Sequence, residues 1–115
     1  MTLPQDRWRE QLDDLTEQFA GGLVTIEVLD PEIGDEEEAE RLPLAYIEYD
    51  PKDAVVIVAV GGGSARFPVV LRHIVQDPQG IVIDTLGEGD DAPAAVEVTG
   101  GDGAQTIVTI HRQPA

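Results

Sequence analysis

No cysteine occurs among the 115 residues, which excludes disulfides, thiolate zinc sites, iron–sulfur clusters and a cysteine nucleophile together. Two histidines, His73 and His111, are the only soft ligands left. No stretch approaches the roughly 18 consecutive apolar residues of a membrane span, and Met1 to Glu10 carries charges where a secretory signal needs an apolar run. The sequence therefore predicts a cytoplasmic protein without membrane contact. Positive charge is scarce too: seven basic side chains, of which only Lys52 is lysine, face 23 acidic ones and leave a net charge of −16. Such a surface repels phosphate backbones and anionic lipid alike, so direct nucleic-acid binding is not expected. Its plain role is solubility.

With 42% apolar residues, a chain of this length can bury one core without covalent staples, so one domain over residues 1–115 is expected. Trp8, Leu12, Leu15 and Phe19 are spaced by four, three and four, one apolar stripe on a helix over about 4–20. Pro4 suits its first turn and Gly21-Gly22 its end. From Leu23 the period changes to two, with Val24, Ile26 and Val28 alternating against Thr25 and Glu27. Strands are predicted at about 23–29, 45–50, 54–60, 81–85, 94–99 and 106–111. The continuous apolar run Ala54–Val60 reads as a strand buried on both faces.

Phe67 to Val75 fits a helix or a strand, and a short helical turn is the expectation adopted. Gly100-Gly101-Asp102-Gly103 joins the last two strands as a hairpin. Asp30–Arg41 and Leu86–Pro93 read as acidic and glycine-rich loops. The architecture expected is α+β: an N-terminal amphipathic helix packed on a mostly antiparallel, meander-like sheet of about six strands.

The blocks "VTIEVLDPEIG", "LPLAYIEYDPKD", "HIVQDP" and "DGAQTIVTI", after a helix with an early tryptophan, resemble a family of short bacterial proteins classed as domain of unknown function fifty-three thirty-five. The matching positions are Trp8, Gly22, Gly34, Leu42, Pro43, Leu44, Tyr49, Asp50, His73, Pro78, Asp102 and Gly103. The resemblance spans nearly the whole chain and implies no particular activity. The run Gly61–Gly63 and the longer segment before His73 depart from the family pattern.

Few residues carry chemistry. His73, beside Arg72, is the one candidate proton carrier or ligand, and a serine, Ser64, lies upstream of it. Tyr46 and Tyr49 fall on opposite strand faces, and Tyr46, Arg72 and His73 are the candidate contact residues. Asp35, Glu37 and Glu38 are the candidate cation ligands, but the spacing fails the EF-hand pattern, since the fifth position from Asp30 is already Gly34. A solvated acidic run is the simpler reading, and no cofactor is expected. Gly61-Gly62-Gly63-Ser64 lacks the lysine of a phosphate loop and reads as a flexible connection. The leading expectation is a non-enzymatic accessory domain with a protein partner. A small enzyme using His73 with nearby carboxylates, and an acidic mimic of nucleic acid, are the alternatives.

Charge of this density makes a direct prediction. Sixteen uncompensated charges repel one another, and salt with a Debye length of about 8 Å at physiological strength screens only part of that repulsion. Sodium and potassium chloride should raise the melting temperature gradually and equally. A saturating calcium effect at matched ionic strength, lost in Glu37→Gln and Glu38→Gln, would show a cation site instead.

Overall fold

The computed structural model describes residues 1–32, 34–61, 71–89 and 92–112, with the backbone alone for residues 37–41. The expected loop from Gly62, the segment Phe67–Val70 and the pair Asp90-Asp91 lie outside the described residues.

A 3₁₀ turn over Gln5–Arg7 leads into helix α1, Trp8–Phe19. The stripe Trp8, Leu12, Leu15 and Phe19 is buried, as its spacing requires. The indole Nε1–H of Trp8 donates to the Leu3 carbonyl at 3.1 Å, and its ring meets Tyr49 edge-on with centroids 5.2 Å apart. This pairing lets a polar aromatic sit inside without an unpaired donor. At the helix end Gly22 is needed for a close approach, since a Cβ there would stand 2.2 Å from the His111 carbonyl oxygen.

Among the described residues seven strands follow: β1 Leu23–Asp30, β2 Gly34–Asp50, β3 Val55–Val60, β4 Leu71–Gln76, β5 Gly80–Thr85, β6 Ala94–Thr99 and β7 Gln105–His111. They form one sheet in the order β4-β3-β2-β1-β7-β6-β5, every neighbouring pair antiparallel. β1 to β4 make one meander, β5 to β7 a second, and the β1–β7 pair joins them.

Two stretches expected to be helix and loop are strand instead. The helical reading of Phe67–Val75 fails for Leu71–Val75, which is β4, because pairing with β3 takes up its backbone and puts Val75 inside. The expected loop at Asp30–Arg41 is mostly strand: β2 starts at Gly34 and runs without a break into the predicted strand. Acidic residues are poor strand formers, but here the ladder to β1, from Asp30↔Gly34 to Leu23↔Pro43, overrides propensity. Asp30 prepares the turn by accepting the Glu32 amide at 2.7 Å, and Gly34 takes φ +85°.

The sheet cannot be flat. Six strand spacings of about 4.8 Å would set the edge strands β4 and β5 about 29 Å apart. Only Asp77, Pro78 and Gln79 separate them in sequence, a reach of about 14 Å from Gln76 to Gly80. β2 supplies the fold line. Its first half, to Pro43, pairs with β1, its second half pairs with β3 from Leu44 onward, and the register shifts between Leu44 and Tyr46. The sheet thus closes on itself as two layers. Val24, Ile26, Val96, Val98, Val108 and Ile110 of one layer, with Ile47, Val56, Val58 and Val75 of the other, belong to one buried core. β3 lies one place in from the edge, so Val55 and Ile57 on its outer face are only half-buried, unlike the doubly buried strand expected.

Beyond Leu44, β2 has no strand on its β1 side, and α1 takes that place. The Gly21 amide donates to the Leu44 carbonyl, the Leu44 amide to the Gly22 carbonyl, and the Thr16 hydroxyl both donates to the Ile47 carbonyl at 2.8 Å and accepts its amide at 3.0 Å. One side chain thereby does the work of a neighbouring strand at Ile47. Thr16→Val, which keeps the shape and removes both bonds, should cost about 1–3 kcal/mol, whereas Thr16→Ser should recover most of that. Trp8→Ala should cost about 3–5 kcal/mol. Denaturant unfolding of the three variants beside the parent measures all of this, and a Thr16→Val loss well below about 1 kcal/mol would mean that water serves Ile47 as well.

Candidate functional site

The predicted contact residues sit on or beside β4, and the two-residue period of a strand separates them. Arg72 points to the outer face, where its Nε–H donates to the Tyr46 hydroxyl at 3.1 Å. The register explains the meeting: Tyr46 pairs with Ala59 and Ala59 with Arg72, so a methyl group leaves room for the two long side chains to join above it. His73 points inward. Its Nε2 lies 3.1 Å from Oγ1 of Thr106 on β7, in the opposite layer. Thr106 is 3% exposed, a polar residue on the otherwise apolar face of Val108 and Ile110, and the bond to His73 satisfies its hydroxyl.

His73 and Thr106 mark one wall of a cleft of about 430 Å³ between β4 and the β1–β7 corner, with Val28, Ile74, Asp77 and Asp102 also lining it. The turn between β6 and β7 closes one end. Its Gly101 amide donates to the Gln76 carbonyl at 3.1 Å, and a Cβ on Gly101 would come 2.7 Å from the Asp77 carboxylate. Asp77 itself has φ +49°, a left-handed conformation that aspartate tolerates better than most residues.

Hydrogen-bond phase fixes what the rim of β4 offers. The Asp77 amide donates to the Ala54 carbonyl, one step beyond the Val55↔Gln76 pair. Alternation along an antiparallel ladder then bonds Val75 to Val56 and His73 to Val58, and turns the N–H and C=O groups of Arg72, Ile74 and Gln76 away from β3. The Gln76 carbonyl is taken by Gly101. The outward groups of Arg72 and Ile74 have no backbone partner among the described residues, and the Ile74 side chain beside them is 51% exposed.

The other edges are treated differently. Along β5, Thr2 bridges to Val82, the Leu3 amide donates to the Ile81 carbonyl and the Ile83 amide to the Met1 carbonyl. The second half of β2 carries α1. Its first half carries the acidic run from Asp35, a charge pattern that discourages strand addition.

Of the candidate cation ligands, the side chains of Glu37 and Glu38 lie outside the described residues. Asp35, Glu37 and Glu38 lie along the extended β2, with Glu37 directly across from Glu27 in the ladder. Among the described residues no three histidine or acidic side chains gather as metal ligands. No described helix is long and apolar enough to cross a membrane.

A family model matches residues 1–115. The chain belongs to the family of unknown function DUF5335. An uncharacterized protein of Aquifex aeolicus (strain VF5) is 31% identical over 108 residues, 94% of this chain and 88% of that protein. No solved structure matches. Several positions behind the family resemblance have a structural task here: Trp8 and Tyr49 pack edge to face, Gly22 allows the approach to β7, His73 bonds Thr106, and the Asp102 carboxylate accepts the Ala104 amide at 3.0 Å.

Sequence reasoning passed over Thr16 and Thr106. A signal existed for each. Thr16 stands four residues after Leu12, on the flank of the helix stripe, and Thr106 stands two before Val108 in an alternating strand, so both fall where an apolar residue is expected.

Proposed function

We propose that the protein is a non-enzymatic interaction domain that receives an extended segment of a partner protein along β4. The observation that carries this reading is the outward backbone of Arg72 and Ile74, left without backbone partners among the described residues while neighbouring edges are covered or charged. Strand addition uses such an edge: main-chain hydrogen bonds supply affinity, and alternate side chains supply selectivity. Ile74, with half-buried Ile57 directly across from it on β3, offers the incoming segment an apolar anchor.

The cleft argues less well for catalysis. His73 and Thr106 have the spacing of a base and a hydroxyl nucleophile, but a nucleophile must touch its substrate, and Thr106 is 3% exposed. The pair serves as an internal bond between the two layers. Mimicry of nucleic acid has only the net charge of −16 behind it.

Affinity purification from the source organism, with the parent chain and Ile74→Pro as parallel baits, tests the proposal. Proline removes the outward amide of residue 74 and leaves the bonds to β3 untouched. The expected result is a protein retained by the parent and lost by the variant, one segment of which slows amide exchange at Arg72 and Ile74. Equal retention by both baits, or protection elsewhere on the surface, would contradict it.

A further inference from the structure

The same edge is an acid-free strip on a strongly acidic chain. Two molecules of charge −16 repel wherever acidic residues face each other. β4 is an exception. Its sequence, LRHIVQ, contains no acid and holds Arg72, one of the seven basic side chains of the chain. A partner segment rich in lysine and arginine would meet Arg72 head-on, whereas a second β4 brings no dense charge of its own.

We infer that β4 pairs with β4 of a second copy of this chain, making one antiparallel sheet across a two-fold axis; this rests on the strand-addition reading above. The alternation of the ladder allows it without any slip. A two-fold axis at His73 sets Arg72 of one copy opposite Ile74 of the other, so outward-facing residues meet outward-facing residues and exchange both hydrogen bonds of each pair. The half-exposed Ile74 side chains leave water on the outer face, where each lies beside the aliphatic stem of the opposing Arg72. Arg72 enters that contact already steadied by the Tyr46 hydroxyl. The remaining acidic surface still repels its counterpart, so association is opposed by charge at long range and favoured by the edge at short range. Salt therefore strengthens it, the reverse of an assembly held by ion pairs.

Sedimentation equilibrium of the full chain over a wide concentration range, at about 0.01 M and about 1 M sodium chloride where the Debye length falls from about 30 Å to about 3 Å, tests the inference. The parent should pass from monomer to dimer, with the dissociation constant at least about tenfold lower at high salt, a gain of about 1.4 kcal/mol. Ile74→Pro and Ile74→Lys should both stay monomeric under conditions where the parent dimerises, while keeping the parent's circular dichroism; should either variant lose its fold, the other decides. A parent that is monomeric at every concentration and salt overturns self-pairing. So does a dimer that both folded Ile74 variants still form. If the parent stays monomeric and yet a foreign protein is retained through the edge, self-pairing falls and the interaction function stands; if the dimer forms and no foreign protein depends on Ile74, the reverse holds.

Discussion

A link of three residues, Asp77-Pro78-Gln79, between strands at opposite edges of a seven-stranded sheet is the constraint from which the rest of the architecture follows. It forces the sheet to fold over, and the fold makes one surface of each layer an interior. It also brings the β6–β7 turn against the end of β4, where Gly101 has to be small and Asp77 has to accept a left-handed backbone. The long β2 meets the same demand from the other side by serving both layers in turn. The His73–Thr106 bond then ties β4 to β7 across the interior.

Folding a sheet this way creates open edges, and each of the described ones is handled by a different physical means. Chain ahead of the helix lies along β5. Helix α1 replaces a strand along β2 through Thr16 and the Gly21-Gly22 backbone, so it is an edge cover as well as a hydrophobic lid. Charge guards the first half of β2. β4 is left with outward amides, an exposed isoleucine and a cationic neighbour, which is why contact function is assigned to it. The acidic composition of the chain makes this acid-free strip stand out.

Much of the fold was legible because periodicity alone carries it. The helix stripe from Trp8 to Phe19, the alternating Leu23–Val28, and the hairpin at Gly100–Gly103 are each dictated by residues close in sequence. The acidic part of β2 and the strand character of Leu71–Val75 were hidden for one reason: both are decided by partners distant in sequence, β1 for the former and β3 for the latter. The candidate site was only partly legible. Arg72, His73 and Tyr46 could be named, but the division of Arg72 with Tyr46 outside and His73 with Thr106 inside depends on the layer fold. Ile74, between two better advertised neighbours, gained its importance only from hydrogen-bond phase.

That phase decides whether β4 presents an open edge. Amide hydrogen exchange along β4, followed residue by residue in dilute protein at low salt, reads it directly. An open edge requires alternation: Arg72 and Ile74 exchange at least about 100-fold faster than His73 and Val75, whose amides bond to β3. Uniform protection of all four, or the opposite alternation, would mean that β4 presents no open edge and that the contact function assigned to it is wrong.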